Sequence, residues 1–229
     1  MRKNINKVVS KVGNLKPIVI AIAGATCSGK STAADDLSKQ GYKVINVDKL
    51  AHTLYLKGTP LYNVLKKKYG AMIINDHGEI NRKILGAKVL SGTKVYYEYC
   101  DIVYPKLNQA LEKAIKNLGV AVVILDMAVV FESGFYKKTN AVIYVQASES
   151  ILKKAMLKRG NASFSLKIMK VQTLFPVSKK IALSDYVVYN NSNIEELKKK
   201  TRKAVLGTLE GLKWSKGQKR TLARKIVIK

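Results

Sequence analysis

The sequence predicts an α/β protein, a three-layer sandwich with a mainly parallel sheet, an inserted helical lobe and a helical lid. Three observations predict it. Short β-branched runs alternate with longer helical patterns, as parallel strands joined by crossover helices do. The run VAVVIL has no polar alternation, so helices should cover both faces of that strand. And residues 47–119, between the second and third candidate strands, far exceed what one crossover helix requires.

Taken in order, the candidate strands are Pro17–Ala23, Tyr42–Asn46, Val120–Leu125, Ala141–Val145 and Tyr186–Tyr189. Helix-compatible stretches at Leu61–Tyr69, Arg82–Leu90 and Val95–Leu118 fill the long interval, which reads as a lobe for a second substrate over about 52–118. The stretch from Ser148 to Leu183 is helical and dense in lysine. Ser148 is placed to cap a helix, and the turn residues of Arg159–Ser163 break it. A basic excursion between the last two strands is where a lid belongs, over about 150–183. Asn193 is placed to cap a final helix running to about Leu209. The main domain is thus expected over 17–209, with a basic N-terminal extension at 1–16 and a basic C-terminal tail at 210–229.

Composition narrows the function classes. An apolar fraction of 47% over 229 residues excludes wholesale disorder. Lys and Arg number 42 against 15 acids, a formal charge of +27, and a field of that sign attracts polyanions such as nucleotides, cofactor phosphates or nucleic acid. Cys27 and Cys100 have neither metal-ligand nor CxxC spacing and suit a reducing compartment. No run approaches the roughly 18 apolar residues that a membrane span needs. The apolar segment Ile18–Ala23 is short and runs straight into a lysine-containing loop, which excludes a secretion signal. A cytoplasmic location without membrane attachment is expected.

That loop carries the chemistry. Gly24, Ala25, Thr26, Cys27, Ser28, Gly29, Lys30 and Ser31 fit G-x-x-x-x-G-K-[ST] in full, with Thr32 following. The glycines let the backbone curl so that successive N–H groups face phosphate oxygens. Lys30 is expected on the β- and γ-phosphates of ATP, Ser31 on Mg²⁺, and the helix that follows adds its positive end. The preceding strand and following amphipathic helix supply the context the motif requires, giving a P-loop NTPase-type sandwich. Cys27, at a helix start beside Lys30, reads as a small side chain facing out of the loop rather than a reactive thiol.

Asp48, in INVDKLAH, lies just past the carboxyl end of the second strand, the edge where open α/β sheets bind ligands. It fits the base that orients an accepting hydroxyl, and it equally fits a helix N-cap.

The succession GATCSGKST, GYKVINVDKLAH, GEINRKIL, LDMAVVFES and YVVYNNSN, with the Gln172 region, resembles the dephospho-CoA kinase family over roughly Ile18 to Val205. The resemblance implies ATP-dependent phosphorylation of the ribose 3′-hydroxyl of dephospho-CoA, the last step of coenzyme A synthesis. It puts the catalytic aspartate on Asp48, a substrate-lobe arginine on Arg82 and a glutamate on Glu132. Arg82 would pair with an anionic part of the acceptor, and Glu132 would bind substrate hydroxyls or hold the lobe in register, though either could be a structural ion-pair partner. The family's His-Pro is Tyr104-Pro105 here, which keeps a hydrogen bond without an imidazolium charge. The lid's first arginine is replaced by lysine and its second falls on Lys158 or Arg159, with Arg159 better suited to bridging phosphates. Two rival readings remain: a P-loop nucleoside or nucleotide kinase, and a basic nucleic-acid-associated protein using the tail WSKGQKRTLARKIVIK, which is more simply a solvated end.

Overall fold

The structure is a computed structural model, and it describes residues 16–158, 174–214 and 226–228. The chain forms two compact units, one from residues 1–45 and 118–229, the other from residues 46–117.

Among the described residues the first unit has six strands: β1 (Ile18–Gly24), β2 (Lys43–Asn46), β3 (Val122–Asp126), β4 (Ala141–Gln146), β5 (Tyr186–Tyr189) and β6 (Ile226–Ile228). Their order is β2-β3-β1-β4-β5-β6. The pairs β1–β3, β1–β4, β4–β5 and β5–β6 are all parallel. β1 is central, with Ile20 beside Ile124 of β3 on one edge register and Ala141 of β4 on the other. Ile20, Ile22, Ile124, Ile143 and Val188 form one buried face, packed against Ala33 and Leu37 of α1 (Lys30–Lys39) and Leu197, Ala204 and Val205 of α8 (Ile194–Trp214). The alternate residues Ala21, Val123, Leu125 and Val142 are equally buried, so both faces are covered, as the unbroken apolar runs require. Helix α6 (Glu149–Lys158) follows β4, and α7 (Val177–Leu183) precedes β5.

The ends of the chain hold two features outside the expected plan. Helix α8, capped by the Asn193 side chain accepting from Glu196 N at 2.9 Å, continues to Trp214 rather than ending near Leu209. Within it Gly207 is a packing glycine, since a Cβ there would stand 2.8 Å from the Tyr186 hydroxyl. The expected tail also returns to the sheet, where Ile226 N donates to Asp185 O at 3.1 Å and β6 lies on β5. The nucleic-acid reading of the tail rests mostly on residues 215–225, which lie outside those described.

The second unit is helical: α2 (Val47–Thr53), α3 (Pro60–Tyr69), α4 (Arg82–Val89) and α5 (Thr93–Asn117). Thr59 caps α3 by accepting from Tyr62 N, with Pro60 in the first turn where its missing N–H costs nothing. Asn81 caps α4 through Lys83 N and Ile84 N. Leu61, Leu65, Ile73, Leu85, Val89 and Val103 make its core. The sequence places the lobe over about 52–118; the compact unit begins at Asn46, because α2 belongs to it.

Candidate active site

The loop expected to bind phosphate lies in the first unit. β1 delivers the chain into a turn and α1 starts at Lys30, so the loop sits between a rigid strand and a helix N-terminus. Gly29 has φ +97°, a left-handed conformation, and a Cβ there would meet Asn190 Nδ2 at 2.7 Å and Leu197 Cδ2 at 2.8 Å. Glycine is therefore required twice over, by conformation and by space. No side chain caps α1 and its first turn holds no acid, which leaves its positive end for an anion. Cys27 also adopts positive φ, at 68°. Its side chain packs with Ala25 against Ala147, Leu152 and Met156, so it ties the loop to the start of α6 and does not point freely outward.

Lys30 Nζ stands 3.3 Å from Ser31 Oγ and 3.3 Å from Asp126 Oδ1, with the Asp126 side chain 3% exposed. Asp126 is the last residue of β3, paired in register with Ile22 of β1, which puts its carboxylate under the loop lysine. Reading the sequence missed this residue, although an acid closing a fully apolar strand is a usable signal. Asn190, immediately after β5, enters the sequence reading only as part of the stretch YVVYNNSN. It donates from Nδ2 to Ser28 O at 2.8 Å, and its own N–H is fixed on Gln146 O at 2.7 Å. It thus holds the backbone of the loop from below.

Ser31 Oγ and the Asp126 carboxylate are hard oxygen donors gathered around one lysine. Mg²⁺ takes one or two such protein ligands and fills its octahedron with phosphate oxygens and water, so these residues fit it.

Glu132, beyond β3, forms an ion pair with Lys180 of α7 at 2.7 Å, the two side chains 10% and 7% exposed. Arg159 lies outside the described residues, as does Gln172. Lys158 ends α6 and is exposed.

The second unit holds a cavity of about 410 Å³ lined by Asp48, His52, Tyr55, Arg82, Tyr96 and Tyr99 over an apolar floor that includes Leu85 and Val89. The capping alternative for Asp48 is settled by Asn46, whose side chain accepts from Lys49 N at 2.8 Å and is the N-cap of α2. Asp48 stands in the first turn with its carboxylate exposed. Arg82 opens α4, is exposed, and forms no ion pair with a carboxylate among the described residues. Burial and the Arg82 charge hold His52 below its ordinary value, against the opposing pull of Asp48. The hydroxyls of Tyr55 and Tyr99 contact each other, and burial pushes both phenols up, so they stay neutral hydrogen-bonding groups. Tyr104 is not among the lining residues. Its hydroxyl meets that of Tyr96 at 3.2 Å, and burial raises its pKa far above the ordinary phenol, so it supports a lining tyrosine as a neutral partner.

Comparison with known proteins bears on both units. The family model described as dephospho-CoA kinase matches residues 18–196, so all of α8 beyond its first turn, and β6, lie outside the match. A dephospho-CoA kinase of Aquifex aeolicus is 31% identical over 185 residues, 80% of this chain and 94% of its own. One from Streptococcus thermophilus is 29% identical over 190 residues, 82% and 96%. Among solved structures, a crystal structure from Thermus thermophilus superposes with a TM-score of 0.71 at 25% identity, covering 85% of this chain and 99% of that one. A dephospho-CoA kinase from Campylobacter jejuni, at 19% identity and a TM-score of 0.61, shares the fold over 85% of this chain and 98% of its own.

Proposed function

This chain belongs to the dephospho-CoA kinase family, and from that premise we infer that it transfers the γ-phosphoryl group of ATP to the ribose 3′-hydroxyl of dephospho-CoA, giving coenzyme A and ADP. The observation that carries the acceptor assignment is the cavity of the second unit, where a guanidinium with no ion pair among the described residues and an exposed carboxylate line the same space. A cation for a substrate phosphate and an acid for a substrate hydroxyl are what a phosphorylated nucleoside acceptor asks of a protein.

The loop backbone from Gly24 to Gly29 and the start of α1 bind the β- and γ-phosphates, with Lys30 neutralising the charge that builds on them. Ser31 and Asp126 would hold Mg²⁺, which would supply further neutralisation of phosphate charge. Asp48 accepts a hydrogen bond from the 3′-hydroxyl, orients its lone pair toward phosphorus, and takes the proton as the new O–P bond forms and the bond to the ADP bridging oxygen breaks. Arg82 pairs with the pyrophosphate of the acceptor, and a lysine there would lose the bidentate fork. Tyr104 acts on the acceptor through Tyr96. Arg159 serves as the lid cation on the transferring phosphate. No helix among the described residues is long and apolar enough to cross a membrane; the cytoplasmic location expected from the sequence is part of this proposal.

An ADP-release assay run with dephospho-CoA, adenosine and nucleoside monophosphates as acceptors tests the reading. Turnover should be Mg²⁺-dependent and confined to dephospho-CoA. Faster turnover of a nucleoside or nucleoside monophosphate would replace it with the rival kinase reading.

A further inference from the structure

The cavity of the second unit carries three charged or ionisable side chains at its rim, Asp48, His52 and Arg82, and all three are exposed. Asp48 and Arg82 have tasks in the transfer; His52 has none. Among the described residues none of the three side chains forms a hydrogen bond or an ion pair. Asp48 and His52 lie four residues apart on α2, so they share one face and stand ~6 Å apart along the helix axis. That is close to the span of one ribose between its 3′-hydroxyl and its 5′-phosphate. An acceptor whose 3′-hydroxyl rests on Asp48 therefore brings its 5′-phosphate to the next turn, where His52 is, and Arg82 enters the same space from the start of α4.

The electrostatics of the empty cavity point the same way. Burial, and then the Arg82 charge, hold the imidazole below its ordinary value against the pull of Asp48, so it is neutral at pH 7. The remaining titratable groups of the lining are phenols: Tyr55, which follows α2, and Tyr96 and Tyr99 of α5. Burial pushes Tyr55 and Tyr99 up, so they bring no charge, and the Tyr96 hydroxyl lies against that of Tyr104. A diphosphate adds two negative charges to this space and reverses the balance, because an anion close to an imidazole favours its protonated form.

We propose that His52 is a phosphate-binding residue for the acceptor, which joins Arg82 as an imidazolium on the diphosphate of dephospho-CoA, one helical turn from the base. The proposal rests on the reaction inferred above, and its residues all belong to the second unit. Binding of the acceptor then takes a proton from solvent onto His52. The ligand cannot account for that proton, since its diphosphate is a diester and no group on it titrates near neutral pH. Affinity should fall as pH rises from the free value of the imidazole to its value in the complex, by up to about tenfold per pH unit.

Titration calorimetry of dephospho-CoA into the full chain without ATP, at pH 7 in two buffers of different ionisation enthalpy, counts the protons taken up. Wild type should take up a measurable fraction of a proton per acceptor bound. His52→Gln keeps an N–H donor but cannot charge, so it should abolish the uptake and weaken binding about tenfold at pH 6. His52→Arg is charged at every pH used, and it should bind as wild type does at pH 6 with neither uptake nor pH dependence. His77→Gln removes the other of the two histidines, which lies outside the cavity, and should leave the uptake unchanged. His52 is exposed, so these changes leave the fold intact. Wild-type binding without proton uptake, or uptake that survives His52→Gln, would overturn the proposal. A wild-type protein that does not phosphorylate dephospho-CoA would instead overturn the reaction reading, and this inference with it.

Discussion

Asn190→Ala isolates what the phosphate loop owes to a residue that never touches phosphate. The amide donates to Ser28 O across 2.8 Å in a partly buried setting, and the neighbouring Gly29 leaves room for it by lacking a Cβ. Removing the donor strands a loop carbonyl, which costs about 1.5 kcal/mol for a neutral bond of this kind. ATP binding uses the same stretch of backbone, so the ligand must now order what Asn190 ordered beforehand. If the whole cost falls on the nucleotide, ATP affinity drops about tenfold. The acceptor cavity lies in the other unit and is built without this residue, so KM for dephospho-CoA should stay within about twofold. Titration calorimetry with ATP, alongside KM for both substrates, reads the effect directly. Unchanged ATP affinity with a lowered melting temperature would refute the reasoning and reduce Asn190 to a structural tie between β5 and the loop. Gly29→Ala sets the upper bound. Its Cβ would collide with both Asn190 and Leu197 at a φ that alanine resists, so it should lose ATP binding even in the Asn190→Ala background.

Asp48→Asn keeps a hydrogen-bond acceptor at the hydroxyl but loses its basicity, and kcat should fall by about 10²–10⁴-fold with little change in KM for ATP; an unchanged kcat removes Asp48 from the base role. Arg82→Ala should raise KM for dephospho-CoA at least about tenfold, more at low ionic strength than at high, and a loss independent of salt would show that no phosphate contact was broken. Asp36, on α1, accepts two hydrogen bonds from Arg202 of α8, and those bonds, followed by the Arg202 charge against an opposing burial penalty, hold its carboxyl below the ordinary 3.8. A carboxylate held low stabilises the fold fully above its unfolded value and ceases to do so as pH falls through its folded value. Asp36→Asn should therefore lower the melting temperature at pH 7, with the gap to wild type closing below about pH 4; a gap constant down to pH 2 would refute the linkage.

The five main strands and the lobe helices were legible because their signals are local. A β-branched run such as Ile18–Gly24 has one sensible use in a buried sheet, and Asn81 and Thr59 announce helix starts by the residues that follow them. β6 was not legible for the opposite reason. Three apolar residues in a basic stretch carry no period, and they become a strand only because the edge of β5 offers them partners. The run of α8 past Leu209 is similar: Gly211 lowers helix propensity locally, yet the helix continues to Trp214.

The site divides along the same line. Its contiguous part, the loop from Gly24 to Thr32, could be read outright, because one backbone curl needs its glycines, lysine and hydroxyls at fixed spacing. Its dispersed part depends on which strand ends are neighbours. Asp126 matters because β3 lies beside β1 and ends level with it; Asn190 matters because β5 ends near the loop on the other side of β4. Strand order is a long-range property that no local window contains. The same order explains why Asp126 and Asn190 take opposite tasks: the strand on one flank supplies a charge to the loop lysine, and the flank beyond β4 supplies a neutral amide to the loop carbonyl. A carboxylate in place of Asn190 would face the Ser28 carbonyl with no proton to offer, and an amide in place of Asp126 would leave Lys30 without its counter-charge before the nucleotide arrives.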